Sequence, residues 1–166
     1  MQFKQLPFSP QLVQAASDSG YLASEDFPRI AEEALEAGFD GRCTRRIAGL
    51  NRPTMSDLQP LMPGFLRELG VERKLSRQEA GRMLARIVAE AILQGRINPY
   101  DGARFIGYKV GNDLREIDLQ KEFLPFVGLA SEYEDCESYG ANPEITRRKL
   151  EQEIVDLARD LVASTS

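Results

Sequence analysis

The chain has 166 residues, of which 42% are hydrophobic and 28% are charged, and its formal net charge at pH 7 is -5. This composition is typical of a globular domain that buries its own core, and it excludes the intrinsically disordered class. The acidic excess also argues against a protein whose main task is to neutralise nucleic-acid phosphates, because such binding depends on an excess of Lys and Arg.

Helix-start signals recur along the first part of the chain. A small polar residue, able to accept a hydrogen bond from a helical N–H, stands before each apolar segment with helical spacing. Glycines that are expected to end helices follow at Gly38, Gly70 and, further along, Gly95. The predicted N-caps are, in chain order, Ser9, Ser24, Asp40 and either Ser56 or Asp57.

The central part of the chain carries the clearest helix pattern. Ser76 and Glu79 have the spacing of a capping box, which places the start of a helix here. Leu84 and Ile87 lie on the apolar stripe that follows, and we expect both at the centre of the core. The pair Asn98–Pro99 then predicts the start of the next helix. The full stripe consists of Ala80, Met83, Leu84, Ile87, Val88, Ala91 and Ile92.

The C-terminal part of the chain combines helical signals with one interruption. The glycine-containing segment from Ile106 to Leu119 predicts a break in the helical pattern and a mobile loop. Helical spacing returns between residues 120 and 133, where Pro125 predicts a late start or a bend. Asn142–Pro143 predicts the start of a long final helix.

The fold class follows from these signals together with the absence of strand patterns. No window of the sequence shows the sustained alternation of a β-strand. We therefore predict an all-α protein of about seven or eight helices, packed as a bundle or array. Residues 1–166 are expected to form a single compact domain.

Motifs for catalysis are missing. The chain contains no histidine, which removes the commonest general base and the commonest metal ligand. Cys43 and Cys136 have no second cysteine nearby, so the spacing favours two reduced thiols over a redox pair or a zinc site. Phosphate-binding glycine loops, nucleophile elbows and calcium loops are not found either. We predict no catalytic residue, no metal site and no cofactor.

Targeting and membrane patterns are also missing. The first residues lack the apolar run of a signal peptide, and no stretch approaches the ~20 apolar residues of a membrane span. These observations predict a cytoplasmic protein without a membrane partner. The sequence gives no indication of the oligomeric state.

The densest polar segment joins several carboxylates to two tyrosines. Clustered carboxylates repel one another unless a cation lies near them, so we interpret the segment as a surface for a protein partner with a basic surface. The alternative is a divalent-metal enzyme that uses Glu132, Glu134 or Asp135. Such an enzyme requires a concave pocket that gathers carboxylates from at least two segments. The predicted partner-binding residues are Glu132, Tyr133, Glu134, Asp135, Glu137 and Tyr139.

One basic stretch raises the alternative of nucleic-acid binding. Arg42, Arg45 and Arg46 have the spacing of one helical face, which is a pattern found in recognition helices. Acidic residues precede them, among them Asp40, and are expected to neutralise this charge within the protein. With a net charge of -5 for the whole chain, we do not expect a nucleic-acid partner.

Several segments resemble parts of uncharacterised helical proteins found in bacteria. These are Gly38–Asp40 leading to Ile47–Leu50, then Gln94–Arg104 and Phe126–Asp135. The resemblance implies an all-helical bacterial protein of the cytosol, and it brings no activity, cofactor or catalytic residue. Our leading hypothesis from the sequence is therefore a non-enzymatic interaction protein, such as an adaptor or a toxin-neutralising immunity protein.

Overall fold

The structure is a computed structural model that describes residues 6–139 and 143–164, without the side chains of residues 137–139 and 143. Within these ranges the chain forms nine α-helices, one 3-10 turn and one π-helix, and it contains no β-strand. The all-α prediction is confirmed. The chain divides into two compact units, an N-terminal unit of Phe8–Ser76 and a C-terminal unit that comprises the residues from Arg77 onwards together with Leu6 and Pro7. The expectation of a single domain stays a prediction.

Five short helices build the N-terminal unit. They are α1 (Pro10–Ser19), α2 (Phe27–Glu36), α3 (Arg42–Ala48), α4 (Met55–Leu58) and α5 (Met62–Glu68). Their apolar faces meet in one core, to which Phe27, Ile47, Leu58 and Phe65 contribute fully buried side chains. Burial of this apolar surface, rather than the propensity of such short helices, stabilises the unit.

Local capping signals in this unit are only partly confirmed. Ser9 caps α1 as predicted, since its hydroxyl accepts a hydrogen bond from the Leu12 N–H at 3.1 Å. Ser24 is not a cap, because it lies inside a 3-10 turn that precedes α2. The predicted fourth helix is divided into α4 and α5 around Pro60, and its cap is Thr54 rather than Ser56 or Asp57. Pro60 has no N–H to donate to the carbonyl four residues before it, so the helical hydrogen-bond pattern is interrupted there.

The start of α3 is capped by a distant residue rather than by Asp40. The carboxylate of Glu68, on α5, accepts hydrogen bonds from the N–H groups of Cys43 and Thr44 at 2.9 and 2.8 Å. It also accepts a hydrogen bond from the Thr44 hydroxyl at 2.8 Å. Partial burial raises the pKa of Glu68, but these hydrogen bonds outweigh it and lower the pKa overall. Gly41 makes the contact possible, since a Cβ there would lie 2.0 Å from the Glu68 carboxyl carbon.

The C-terminal unit is built around longer helices. They are α6 (Arg77–Leu93), α7 (Pro99–Arg104), the π-helix (Phe105–Asp113), α8 (Ile117–Tyr139) and α9 (Pro143–Ala163). Helix α6 starts directly after Ser76, as predicted, and Asn98 caps α7 by accepting the Tyr100 N–H at 2.9 Å. Asn142, the predicted cap of α9, lies outside the described residues. None of the helices in the described ranges has the length and apolar content needed to cross a bilayer.

The buried face of α6 differs slightly from the predicted stripe. Leu84 is fully buried, as expected, but Ile87 is only half-buried. The second buried row consists instead of the small residues Gly81, Ala85 and Ala89. Small side chains let neighbouring elements approach closely, so the core lies on that side of α6 and the expected central position of Ile87 is wrong.

The predicted mobile loop is wrong as well. Residues 105–113 form the π-helix, in which Phe105, Ile106 and Val110 are buried. Gly107 lets α8 pack against this helix, because a Cβ there would lie 2.8 Å from the Val127 side chain and 2.9 Å from its backbone nitrogen. The glycine that suggested a break therefore serves close packing. Helix α8 continues through Pro125 without interruption.

The assignment of the α6 core face can be tested by two truncations. We expect Leu84→Ala to lower the free energy of unfolding by about 2–5 kcal/mol, because it leaves a cavity at a fully buried site. Ile87→Ala should cost clearly less, since that side chain is half-buried. Urea denaturation of both variants measures the difference, and equal losses would contradict the assigned face.

Candidate functional site

The acidic segment occupies the last turns of α8, in the part of the C-terminal unit where α8 packs against α9 and α7 packs against both. Glu132 and Asp135 are exposed, Glu134 is exposed on a different side of the helix, and Tyr133 is half-buried. The predicted side chains of Glu137 and Tyr139 lie outside the described part of the structure. The segment therefore presents two different sets of groups, described in turn below.

Tyr133 is part of a stack of four side chains that joins α7, α8 and α9. Its ring stacks on that of Tyr100, with centroids 4.4 Å apart and planes 16° from parallel. The Arg104 guanidinium lies 5.7 Å from the Tyr100 centroid, and that of Arg147 lies 5.6 Å from the Tyr133 centroid. Each arginine is within range of a cation–π attraction, so a cation covers a ring at each end of the stack.

The two hydroxyl groups of this stack engage two carboxylates. Tyr100 donates a hydrogen bond to Glu134 at 2.8 Å, and Tyr133 donates one to Glu151 at 3.1 Å. Glu134 also lies 3.4 Å from the Arg104 guanidinium. The pKa of both tyrosines is raised, mainly by burial and secondly by the hydrogen bond that each hydroxyl donates to a carboxylate. Glu134 is thus committed to contacts within the protein.

Glu132 and Asp135 lie instead on the wall of a groove between α8 and α9. Its volume is about 540 Å³, and the buried side chains of Cys136 and Leu150 form its apolar part. The opposite wall carries Lys149, which lies 3.8 Å from Glu153. Within the described ranges, no hydrogen bond or ion pair reaches the carboxylate of Glu132 or of Asp135. We call this feature the acidic groove.

The shape and lining of the acidic groove can be compared with the two functions considered from the sequence, partner binding and a divalent-metal enzyme. The acidic groove is concave and gathers carboxylates from two helices, as the metal-enzyme alternative requires. However, residues 6–136 and 144–164, whose side chains are described, contain no group of three or more Cys, Asp or Glu side chains placed to hold a metal ion. Two carboxylates without a cation are suited to an ammonium or guanidinium group, which needs only one or two acceptors.

The basic stretch and Cys43 belong to α3 of the N-terminal unit, whereas Cys136 lines the acidic groove. Arg45 pairs with Asp40 at 3.4 Å, as the sequence suggested, whereas Arg42 and Arg46 point into solvent on the seven-residue helix α3. Cys43 and Cys136 are both free thiols, the first half-buried and the second buried.

No pattern in the sequence predicts the tyrosine stack. Tyr100 and Tyr133 belong to different helices, and neither residue has a local partner that would predict the contact. Only the packing of α7 against α8 brings the two rings together. From the sequence alone, Tyr133 and Glu134 therefore cannot be distinguished from Glu132 and Asp135 as partner-binding residues.

Comparison with known proteins adds no further assignment, because no family model, curated protein or solved structure matches the chain. The fold and the site define a helical protein with an acidic groove at the end of two long helices. Any statement of function must therefore come from the groove itself.

The tyrosine stack predicts a specific loss of stability at alkaline pH. A raised pKa in the folded state means that the stabilisation is present below the unfolded pKa of about 10 and is lost as pH rises towards the higher folded value. The melting temperature of the wild type should therefore fall more steeply between about pH 9 and 11 than that of the Tyr100→Phe/Tyr133→Phe variant. Parallel melting curves across this range would contradict the raised pKa values.

Proposed function

We propose that this protein is a non-enzymatic interaction protein, of the adaptor or immunity type, which binds a basic segment of a partner protein in the acidic groove. One observation carries the proposal: Glu132 and Asp135 are exposed on the wall of a groove and make no hydrogen bond or ion pair with the described residues. A partner cation would pair with these two carboxylates, since Lys149 on the opposite wall pairs with Glu153 instead.

The shape and spacing of the groove support a partner with Arg or Lys. Residues at i and i+3 on a helix have Cβ atoms roughly 5–6 Å apart, so Glu132 and Asp135 can accept hydrogen bonds from one guanidinium or lie beside two cations. Leu150 and Cys136 offer apolar surface for the hydrocarbon stem of such a side chain. Lys149 on the other wall repels cations, which restricts where a partner cation can enter.

The remaining predicted binding residues take different parts in this proposal. Tyr133 and Glu134 hold α7, α8 and α9 together and so maintain the groove, and we assign them no direct contact with the partner. Glu137 and Tyr139 stay predictions for direct contact. The cytoplasmic location, the bacterial origin and the absence of a nucleic-acid partner are retained from the sequence analysis as part of the proposal.

Charge reversal in the groove tests the proposal. Partners captured from native cell extract should include a basic protein that binds the wild type and is lost with Glu132→Lys/Asp135→Lys. With that partner purified, binding kinetics at several salt concentrations should show at least about a tenfold slower association and a weaker salt dependence for the variant. The melting temperature should change little, since exposed charges contribute little to stability.

A matched control separates the effect of losing the groove carboxylates from the effect of changing the net charge. Glu32 and Glu36 are exposed on α2, so Glu32→Lys/Glu36→Lys makes the same charge change elsewhere and should leave partner binding intact. Equal losses in both variants would reduce the effect to net charge and contradict the groove. A saturable rise in melting temperature with Mg²⁺, Mn²⁺ or Ca²⁺, abolished by Glu132→Ala or Asp135→Ala, would favour the metal-enzyme alternative instead.

A further inference from the structure

The N-terminal unit contains a second, larger groove that is mainly apolar. Its volume is about 710 Å³, within the range of sites that bind ligands or side chains of a partner. Phe27 and Leu66 line it, together with Met55 and Met62. Met55 is 57% exposed at this site, and methionine side chains adapt readily to a partner surface. We call this feature the apolar groove.

The edge of the apolar groove carries charged side chains of both signs, Arg73 among them. Glu72 and Lys74 are exposed there, and neither makes a hydrogen bond or ion pair with the described residues. Asp18, at the same edge, already accepts the Leu75 N–H at 2.9 Å. Glu72 is therefore the carboxylate at this edge that is free to meet a cation.

Helix α8 presents a convex surface with matching properties. Ile117 and Leu124 are 67% and 62% exposed and lie seven residues apart on one face of the helix. Lys121 lies between them on that face, and it also makes no hydrogen bond or ion pair with the described residues. Residues at i and i+7 are two of the anchor positions by which a helix docks into an apolar groove, and the cation between them is available to a carboxylate at the groove edge.

Gly128 continues the same face of α8 by one further turn. It is exposed, and a Cβ at this position would meet nothing within 4 Å. Glycine lowers helix stability relative to alanine, so packing among the described residues gives no reason for it here. A partner that approaches the helix backbone closely would give one. We call Ile117, Lys121, Leu124 and Gly128 the α8 stripe.

We infer that the chain associates with itself through these two surfaces, with the α8 stripe of one copy docked in the apolar groove of another. Ile117 and Leu124 enter the groove, and Lys121 pairs with Glu72 at its edge. Reciprocal exchange between two copies gives a closed dimer with two identical contacts. The inference uses neither Glu132 nor Asp135 and is independent of the proposed function.

Sedimentation equilibrium on the full chain tests the inference. The wild-type mass should rise with protein concentration from 18.6 kDa towards twice that value. Leu124→Glu and Met55→Glu, at one exposed position in each surface, should each raise the dissociation constant at least about tenfold. Circular dichroism should show the helical content unchanged.

The charge pair offers a sharper test than the apolar contacts. Glu72→Lys and Lys121→Glu should each weaken the dimer, and the double variant that exchanges the two charges should restore it. Lys74→Glu, at the same edge, should leave association unchanged or strengthen it. Failure of the exchanged pair to restore the dimer, or a loss with Lys74→Glu equal to that with Glu72→Lys, would contradict the proposed pairing.

Ile145→Glu is the matched control for the apolar contacts, because Ile145 is 65% exposed on α9 and lies outside both surfaces. This variant should associate like the wild type. Three outcomes would overturn the inference: a wild type that stays monomeric at every concentration, a dimer unaffected by Leu124→Glu, or an Ile145→Glu variant as disrupted as Leu124→Glu. The first of them would assign the apolar groove to another occupant.

Discussion

The contact between Tyr100 and Tyr133 determines what the acidic end of α8 can do. In the stacked arrangement the two hydroxyl groups donate hydrogen bonds to Glu134 and Glu151. These two carboxylates are therefore not available to a partner. The same contact joins α8 to α7 and, through Glu151, to α9. A groove between α8 and α9 keeps its shape only while these helices stay in place, so the groove that holds Glu132 and Asp135 depends on the stack.

Close approach of helices is the second constraint, and glycine provides it in both units. Gly107 admits α8 to the π-helix, and Gly41 admits the Glu68 carboxylate to the start of α3. Each of these positions would force its neighbour to move if it carried a side chain. Gly128 differs from them, because the space around it is open. Packing within the fold therefore explains Gly41 and Gly107 but not Gly128.

The sequence predicts those features whose causes lie within a few residues. Ser9 and Asn98 cap their helices as expected, and Gly38, Gly70 and Gly95 all adopt the left-handed conformation that ends a helix. The sequence does not predict features whose causes lie far away along the chain. The Glu68 carboxylate that caps α3 is 24 residues from Thr44, and the role of Gly107 depends on Val127. For the same reason the sequence could locate the acidic segment but could not divide it into structural and exposed carboxylates.

Unfolding free energies directly test the division between Glu134, which is bonded within the protein, and Glu132, which is exposed. Glu134→Gln removes a carboxylate that accepts the Tyr100 hydroxyl and lies beside Arg104, whereas Glu132→Gln removes one with no such contact among the described residues. We expect a loss of about 1 kcal/mol for Glu134→Gln and a change within about 0.5 kcal/mol for Glu132→Gln. Equal effects of the two substitutions, or a larger loss for Glu132→Gln, would contradict this division.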